Sequence, residues 1–288
     1  INGGDPKSYG ISGNLNYRTK KINFFSNNGY NLRSYENVSN SNTEYYTGNS
    51  VNNFLDEIGN RNSERESNYQ NHGIEYFISK KTSLVVSYLT RESESNDETI
   101  NNIIQNFQGI KKSSKRIENE NEKDDTNEFS LYFAHEFANK AEITMDYQKE
   151  RSNEIESGLI SNTQSIPNYV KYLSEKVKTD ERQDSELYKI DYVLPIGEDG
   201  QFEMGYRKSN KFQNTDYLVE DENSNGNYVR NSNLSNSLFY NEKINAFYTQ
   251  FGNKKNKFSY LLGLRIEESK TIVKQKETNS NDIKKYND

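Results

Sequence analysis

Cysteine and tryptophan are absent from this chain of 288 residues, proline occurs three times and histidine twice. Without cysteine there is no disulfide, no thiol nucleophile and no cysteine-based metal site. Apolar residues are scarce as well: they make up 31% of the chain, and the mean hydropathy is −1.11. An ordinary soluble domain carries about 45–50%, so a conventional dry core is not expected. No apolar run reaches the roughly 18 residues that a transmembrane helix needs. Charge of one sign is not in excess. Lys and Arg number 37 against 43 Asp and Glu, for a net charge of −6. The basic residues are scattered or sit in turns, so no nucleic-acid partner is expected.

Aromatic residues are plentiful, with 22 Tyr and 14 Phe. A disordered chain has few of them. Here they alternate in register around five short turns: Lys20-Lys21, Lys80-Lys81, Asn139-Lys140, Gly197 to Gly200, and Asn253 to Lys257. The first four turns are spaced about 59–60 residues apart and the last interval is about 56, which marks a repeat. Each repeat reads as strand, tight turn, strand, long polar stretch. Tight turns at one end and long loops at the other are the pattern of an antiparallel up-and-down transmembrane β-barrel of the outer membrane.

Period two holds on both arms of every hairpin, which is the strand signal. The first has Tyr9, Ile11, Leu15 and Tyr17, then Ile22, Phe24, Tyr30 and Leu32. The second has Ile74, Tyr76 and Ile78, then Leu84, Val86 and Tyr88. Phe129, Leu131, Phe133 and Phe137 precede the third turn, and Ala141, Ile143, Met145 and Tyr147 follow it. Around the fourth lie Tyr188, Ile190, Tyr192 and Leu194, then Phe202, Met204 and Tyr206. The fifth pairs Ile244, Ala246 and Tyr248 with Phe258, Tyr260, Leu262, Leu264 and Ile266. The opposite parity is mostly polar, as in Glu142, Thr144 and Asp146, or Gln201, Glu203, Gly205 and Arg207. Phe25, Phe77, Val85, Tyr132 and Phe247 are exceptions on that parity. A slip of one residue would place charges in lipid at about 2–4 kcal/mol for each Lys or Arg at the midplane, which fixes the register.

Tyr88, Tyr147 and Tyr206 recur at the far end of the downstream arms. There Tyr can anchor in the interface, ring in lipid and hydroxyl in water. The polar stretches from Tyr35 to Glu66, Arg91 to Asn127, Ser152 to Asp184 and Lys211 to Asn233 are expected to continue the strands at first and to end in mobile loops. Ile100 to Gln108 and Ile166 to Leu173 are less polar, and are expected to form a short helix or to fold back into the lumen. Asn281 to Asp288 reads as loop.

No constellation of catalytic residues is visible. There is no G-x-S-x-G, H-E-x-x-H or Walker loop, and His72 and His135 fall in different hairpins. The expectation is no enzyme, no catalytic residue, no cofactor and no metal. One calcium-like string stands out: Asp221, Asn223, Asn225 and Gly226 read D-x-N-x-N-G, but the twelfth position is Ser232 where a bidentate Glu is needed. Asn and Gly clusters are also ordinary loop composition, and the sequence does not choose between the two. Lysines gather at the short turns, where they keep a turn soluble or meet anionic headgroups of the inner leaflet.

Four segments carry a resemblance: YGISGNLNYR from Tyr9, GIEYFISKKTSLVVSY from Gly73, YKIDYVLPIGEDGQFEMGYR from Tyr188, and the stretch from Asn236 that ends YLLGLRIE at Glu267. In this order they resemble the outer-membrane β-barrel family related to TonB-dependent receptors of Bacteroidetes-type bacteria. The resemblance implies a barrel of about 22 strands, of which residues 1–288 would be a part of about ten strands. The plug domain and signal peptide would lie outside this chain. It further implies uptake of a bulky nutrient (a metal chelate, oligosaccharide or peptide) across the outer membrane of a Gram-negative bacterium. Implied partners are outer-membrane lipid, the plug of the same parent chain, a TonB-type energy transducer, and a nutrient or surface lipoprotein at the loops. The rival expectation is a scaffold or adhesin that does not transport. A soluble solenoid would need repeats of roughly 20–30 residues.

Overall fold

The computed structural model describes residues 2–4, 7–47, 50–107, 109–255, 257–278 and 280–287, and all their regular structure is β. The strands are β1 (Asn2–Gly4), β2 (Ser8–Arg18), β3 (Ile22–Thr47), β4 (Ser50–Ser79), β5 (Thr82–Phe107), β6 (Ile110–Glu136), β7 (Glu142–Ile166), β8 (Val170–Lys171), β9 (Glu175–Ile196), β10 (Gly200–Glu222), β11 (Tyr228–Arg230), β12 (Asn236–Lys255), β13 (Phe258–Gln275) and β14 (Ser280–Asn287). Twelve of them follow one another in a single antiparallel meander, while β8 and β11 pair beside β7 and β10. The expected count of about ten is therefore too low. The sequence gives no sign of β1, and of Asn281 to Asp288, expected as loop, Asn281 to Asn287 belong to β14 while Asp288 lies outside the described residues.

The long polar stretches continue the strands as expected, but much farther than expected. β3 continues to Thr47, β4 runs for 30 residues, and β5 to β7 pair continuously over their length. Ile100 to Phe107 belongs to β5, not to a helix, and Gln108 lies outside the described residues. Ile166 to Leu173 is a cis-proline turn at Ile166-Pro167 followed by β8. The physical reason is wetting. Away from the membrane both faces of a strand meet water, both carry polar side chains, and the alternation that marks a strand in sequence disappears.

One face of the sheet is apolar near the short turns. Cross-strand pairing sets Leu84, Phe133, Met145, Ile190, Tyr206, Phe247 and Ile266 in one row of that face. This corrects the reading of β12. Phe247 and Phe251 belong to the apolar face, and Ile244, Ala246 and Tyr248 to the polar one. Period two alone could not decide, because β12 carries bulky residues at both parities, and hydrogen-bonded pairing with Phe202 to Tyr206 settles it. Phe25, Phe77, Val85 and Tyr132 stand on the polar face as expected.

The apolar band crosses the sheet on a slant. Tyr30, Tyr88, Tyr147, Tyr188 and Tyr206 mark its upper edge. The row that starts at Tyr30 passes through Asn68, Glu92, Asp125, Asn153 and Arg182 and reaches β10 at Asn214, eight residues above Tyr206. The edge thus drops about 26 Å along the strands over about 29 Å of sheet, at about 3.3 Å per residue and 4.8 Å per strand. That is a slope of roughly 40°, within the tilt of about 35–45° found in outer-membrane barrels. The short turns descend in parallel. The row of Ile22 reaches β12 at Phe247, eight residues above the strand end at Lys255. Band height is therefore constant: Ile22 to Tyr30, Tyr188 to Ile196 and Phe247 to Lys255 each span nine residues, and a membrane-crossing strand needs about 9–11.

Candidate functional site

The polar face gathers its charges beyond the band, where β4 to β9 lie side by side. On β6, Glu120, Glu122 and Asp124 share this face at period two. Pairing sets them against Asp97, Ser95 and Ser93 of β5 and against Gly158, Glu156 and Glu154 of β7. Carboxylate oxygens of Glu122, Asp124 and Glu154 lie within 4.8 Å of one another. Two arginines of β4 answer them. Arg65 Nη2 is 3.2 Å from Asp124 Oδ2, and Ser93 Oγ donates to the same oxygen at 2.9 Å. Arg61 Nη2 donates to Asp97 Oδ2 at 2.9 Å, and the Asp97 side chain is only 5% exposed.

Acids outnumber bases here, and their protonation responds. Burial pushes the Glu122 carboxyl up, helped by Asp124. Glu154 is raised by burial and then by Asp124 and Glu122. Glu120 is raised by burial and by Glu156 and Asp97. Close like charges cannot all ionise freely in a half-buried wall. Arg61 is raised as well, which for a base keeps the charge: its hydrogen bond to Asp97 holds it more firmly protonated. Such a wall accepts hydrogen bonds and attracts cationic groups, and Glu122, Asp124 and Glu154 are the residues able to face a metal ion. The sequence expectation named no metal ligand. The missed signal was Glu-x-Asp at period two on β6, hidden in a stretch read as loop.

Nearer the membrane the polar face is a hydrogen-bonded ladder. Lys189 and Asp191 pair at 2.5 Å, and the Tyr248 hydroxyl also donates to Asp191. Glycine makes room for large neighbours: a Cβ on Gly205 would meet the Tyr248 ring.

The two histidines stand apart. His72 Nδ1 lies 2.9 Å from Ser26 Oγ, and His135 Nδ1 lies 2.8 Å from Thr82 Oγ1. Both belong to the apolar face, in different rows. The calcium-like string closes a turn instead. Asn223 Oδ1 accepts from the backbone N–H groups of Asn225 and Asn227, Gly226 takes φ 79°, and Asp221 Oδ2 accepts from Asn231 at 2.8 Å. The short-turn lysines stay exposed, and Lys81 reaches Glu136 at 2.7 Å.

The family comparison agrees with the slanted band. Residues 135–288 match the Outer membrane protein beta-barrel family. No curated protein matches the chain. Among solved structures, the outer membrane protease OmpT from Escherichia coli is similar at 11% identity and a TM-score of 0.28, over 92% of this chain and 90% of that one. The family match covers more than half of the 288 residues, and the chain belongs to the outer membrane protein beta-barrel family, with its place in the outer membrane of a Gram-negative bacterium.

Proposed function

We propose that this chain is part of the wall of a larger outer-membrane barrel, of the TonB-dependent receptor type, that takes up a bulky nutrient such as a metal chelate, an oligosaccharide or a peptide. The observation that carries the reading is the polar face. It holds a dense network of charges and hydrogen bonds from the membrane band out to Glu122, Asp124 and Glu154. A wall of this kind suits contact with a plug domain and with a hydrated ligand. In this reading a plug of the same parent and a TonB-type transducer are partners, and no residue of the chain does covalent chemistry. The open sheet supports a partial barrel: among the described residues, β1 and β14 end the meander without pairing to each other.

A second reading is a scaffold or adhesin that binds a partner without transport. It is favoured by an apolar hollow of about 480 Å³ far from the membrane band, lined by Tyr45, Phe54, Leu55, Phe107 and Ile110. Sequencing the gene upstream of the codon for Ile1 separates the two. A plug-sized domain there supports the receptor. Hairpins that follow a signal peptide directly would remove energised uptake and leave the scaffold.

A further inference from the structure

On the apolar face, just past the band, three lysines stand directly opposite one another on adjacent strands. Lys243 of β12 pairs with Lys270 of β13, and Lys270 pairs with Lys285 of β14. Lys208 of β10 stands one row nearer the membrane, where its neighbour Asn245 pairs with Glu268. Like charges directly opposite in a sheet destabilise it. No ion pair among the described residues involves Lys208, Lys243, Lys270 or Lys285, while Lys149 and Arg151 on the same face are paired to Glu186 and Asp184. Glu268 is the acid of the Lys208 row, and Glu186, which shares the row of the other three lysines beyond Asn210, is taken up by Lys149. Lys208 lies over the Tyr188 ring, 5.9 Å from its centroid.

The height of these lysines matters as much as their charge. Lys208 is two residues above Tyr206 and Lys243 four above Phe247. At about 3.3 Å per residue and a slant near 40°, these are about 5 Å and 10 Å above the apolar edge. Below them the band is hollowed, over about 610 Å³, between Ile190, Met204, Tyr206, Phe247, Leu264 and Ile266. Above them Phe212 and Phe239 stand edge to face with ring centroids 5.3 Å apart, an apolar ledge of the kind a sugar ring can lie on.

From this geometry we infer that Lys208, Lys243, Lys270 and Lys285 bind the phosphates of a phosphorylated glycolipid of the outer leaflet. Its acyl chains fill the hollow, and its phosphates balance the lysine row. The occupant follows from charge complementarity and from continuity with the lipid-facing band. The inference rests on the outer-membrane placement and not on the transport reading.

The test uses protein extracted from outer membranes, delipidated, and reconstituted into phosphatidylcholine vesicles that contain bis-phosphorylated lipid A or its dephosphorylated form. Phosphorylated lipid retained on re-extraction is then counted per chain. The wild type is expected to retain the phosphorylated form selectively. Lys243→Gln, Lys270→Gln and Lys285→Gln should each weaken retention about five-fold, the worth of one lysine near an anionic headgroup. Lys20→Gln and Lys21→Gln, in a short turn, should leave it unchanged. Equal retention of both lipids, or a triple variant that retains as much as wild type, overturns the site. Insertion is read separately in plain phosphatidylcholine, by circular dichroism and protection from protease. A chain that fails to insert there removes the lipid-facing assignment itself.

Discussion

The Phe25 ring of β3 covers Gly73 of β4 so closely that a Cβ at Gly73 would meet it. The two residues pair directly across the strands on the polar face. This explains why an aromatic residue can stand among polar neighbours: the missing side chain makes its seat. Gly73→Val should destabilise the folded sheet by about 1–3 kcal/mol through overpacking. Adding Phe25→Ala should recover most of that loss. Urea unfolding in detergent micelles measures both, and additive costs in the double variant would show that the ring does not depend on the glycine.

Phe251 and Gln250 are adjacent on β12 but face opposite ways, Phe251 in the row of Phe202 and Leu262 and Gln250 beside Glu203. Phe251 lies midway between Phe247 and Lys255, at the centre of the band. Phe251→Arg should cost about 2–4 kcal/mol and deplete assembled protein from the outer membrane. Gln250→Arg should assemble normally. Ile143→Lys, at the same depth on β7, should behave as Phe251→Arg does. Quantifying heat-modifiable protein in membrane fractions separates these outcomes, and normal yield of Phe251→Arg would refute the register.

Hairpins, short turns and the face of most strands were legible in the sequence because lipid on one side and water on the other enforce period two. Tyr147 and Ile143 are examples. Legibility failed where that contrast fails. In β12 both parities are bulky, so alternation alone does not tell that Phe247 stands on the apolar face and Tyr248 on the polar one. From Tyr35 to Glu66 both faces are wet, so a paired hairpin looked like loop. The carboxylate group of Glu122, Asp124 and Glu154 was out of reach for a further reason. Its members lie on two strands about thirty residues apart, and only strand pairing beyond the membrane brings them together.

Those carboxylates give a pH dependence with a definite sign. Glu122 and Glu154 have folded pKa values raised above the unfolded range, by burial first and then by Asp124. The folded state therefore binds more protons than the unfolded one. The stability this contributes is complete below the unfolded value of about 4.3 and is lost as pH rises through the raised folded values. Glu154→Gln should then be more stable than wild type near pH 7, and the difference should close as the pH falls toward about 4.5. Thermal unfolding of both proteins across this range checks it. A constant difference would mean that Glu154 is not held against its neighbours.

The edges of the sheet set the last expectation. β2 pairs on its outer side with only the three residues of β1, and β13 with only the eight of β14. From Ile11 to Arg18 and from Phe258 to Glu267, the described structure thus leaves one side of the backbone without a strand partner. The side chains there are correspondingly bare: Leu264 is 76% and Ile266 72% exposed, against 41% for Ile190 in the sheet interior. Long, apolar, unpaired edges recruit further strands. The 288-residue chain taken alone into detergent-free buffer should therefore associate through β2 and β13, and light scattering should show large species. Proline at Leu261 or Leu262 removes a backbone donor in β13, and the N–H groups of these adjacent residues point to opposite sides of the strand. Of these two variants, the one whose N–H points away from β12 should reduce association without unpairing β12 from β13. A monodisperse wild-type preparation in such buffer would show that these edges are covered, and the open meander would have to be replaced by a closed one.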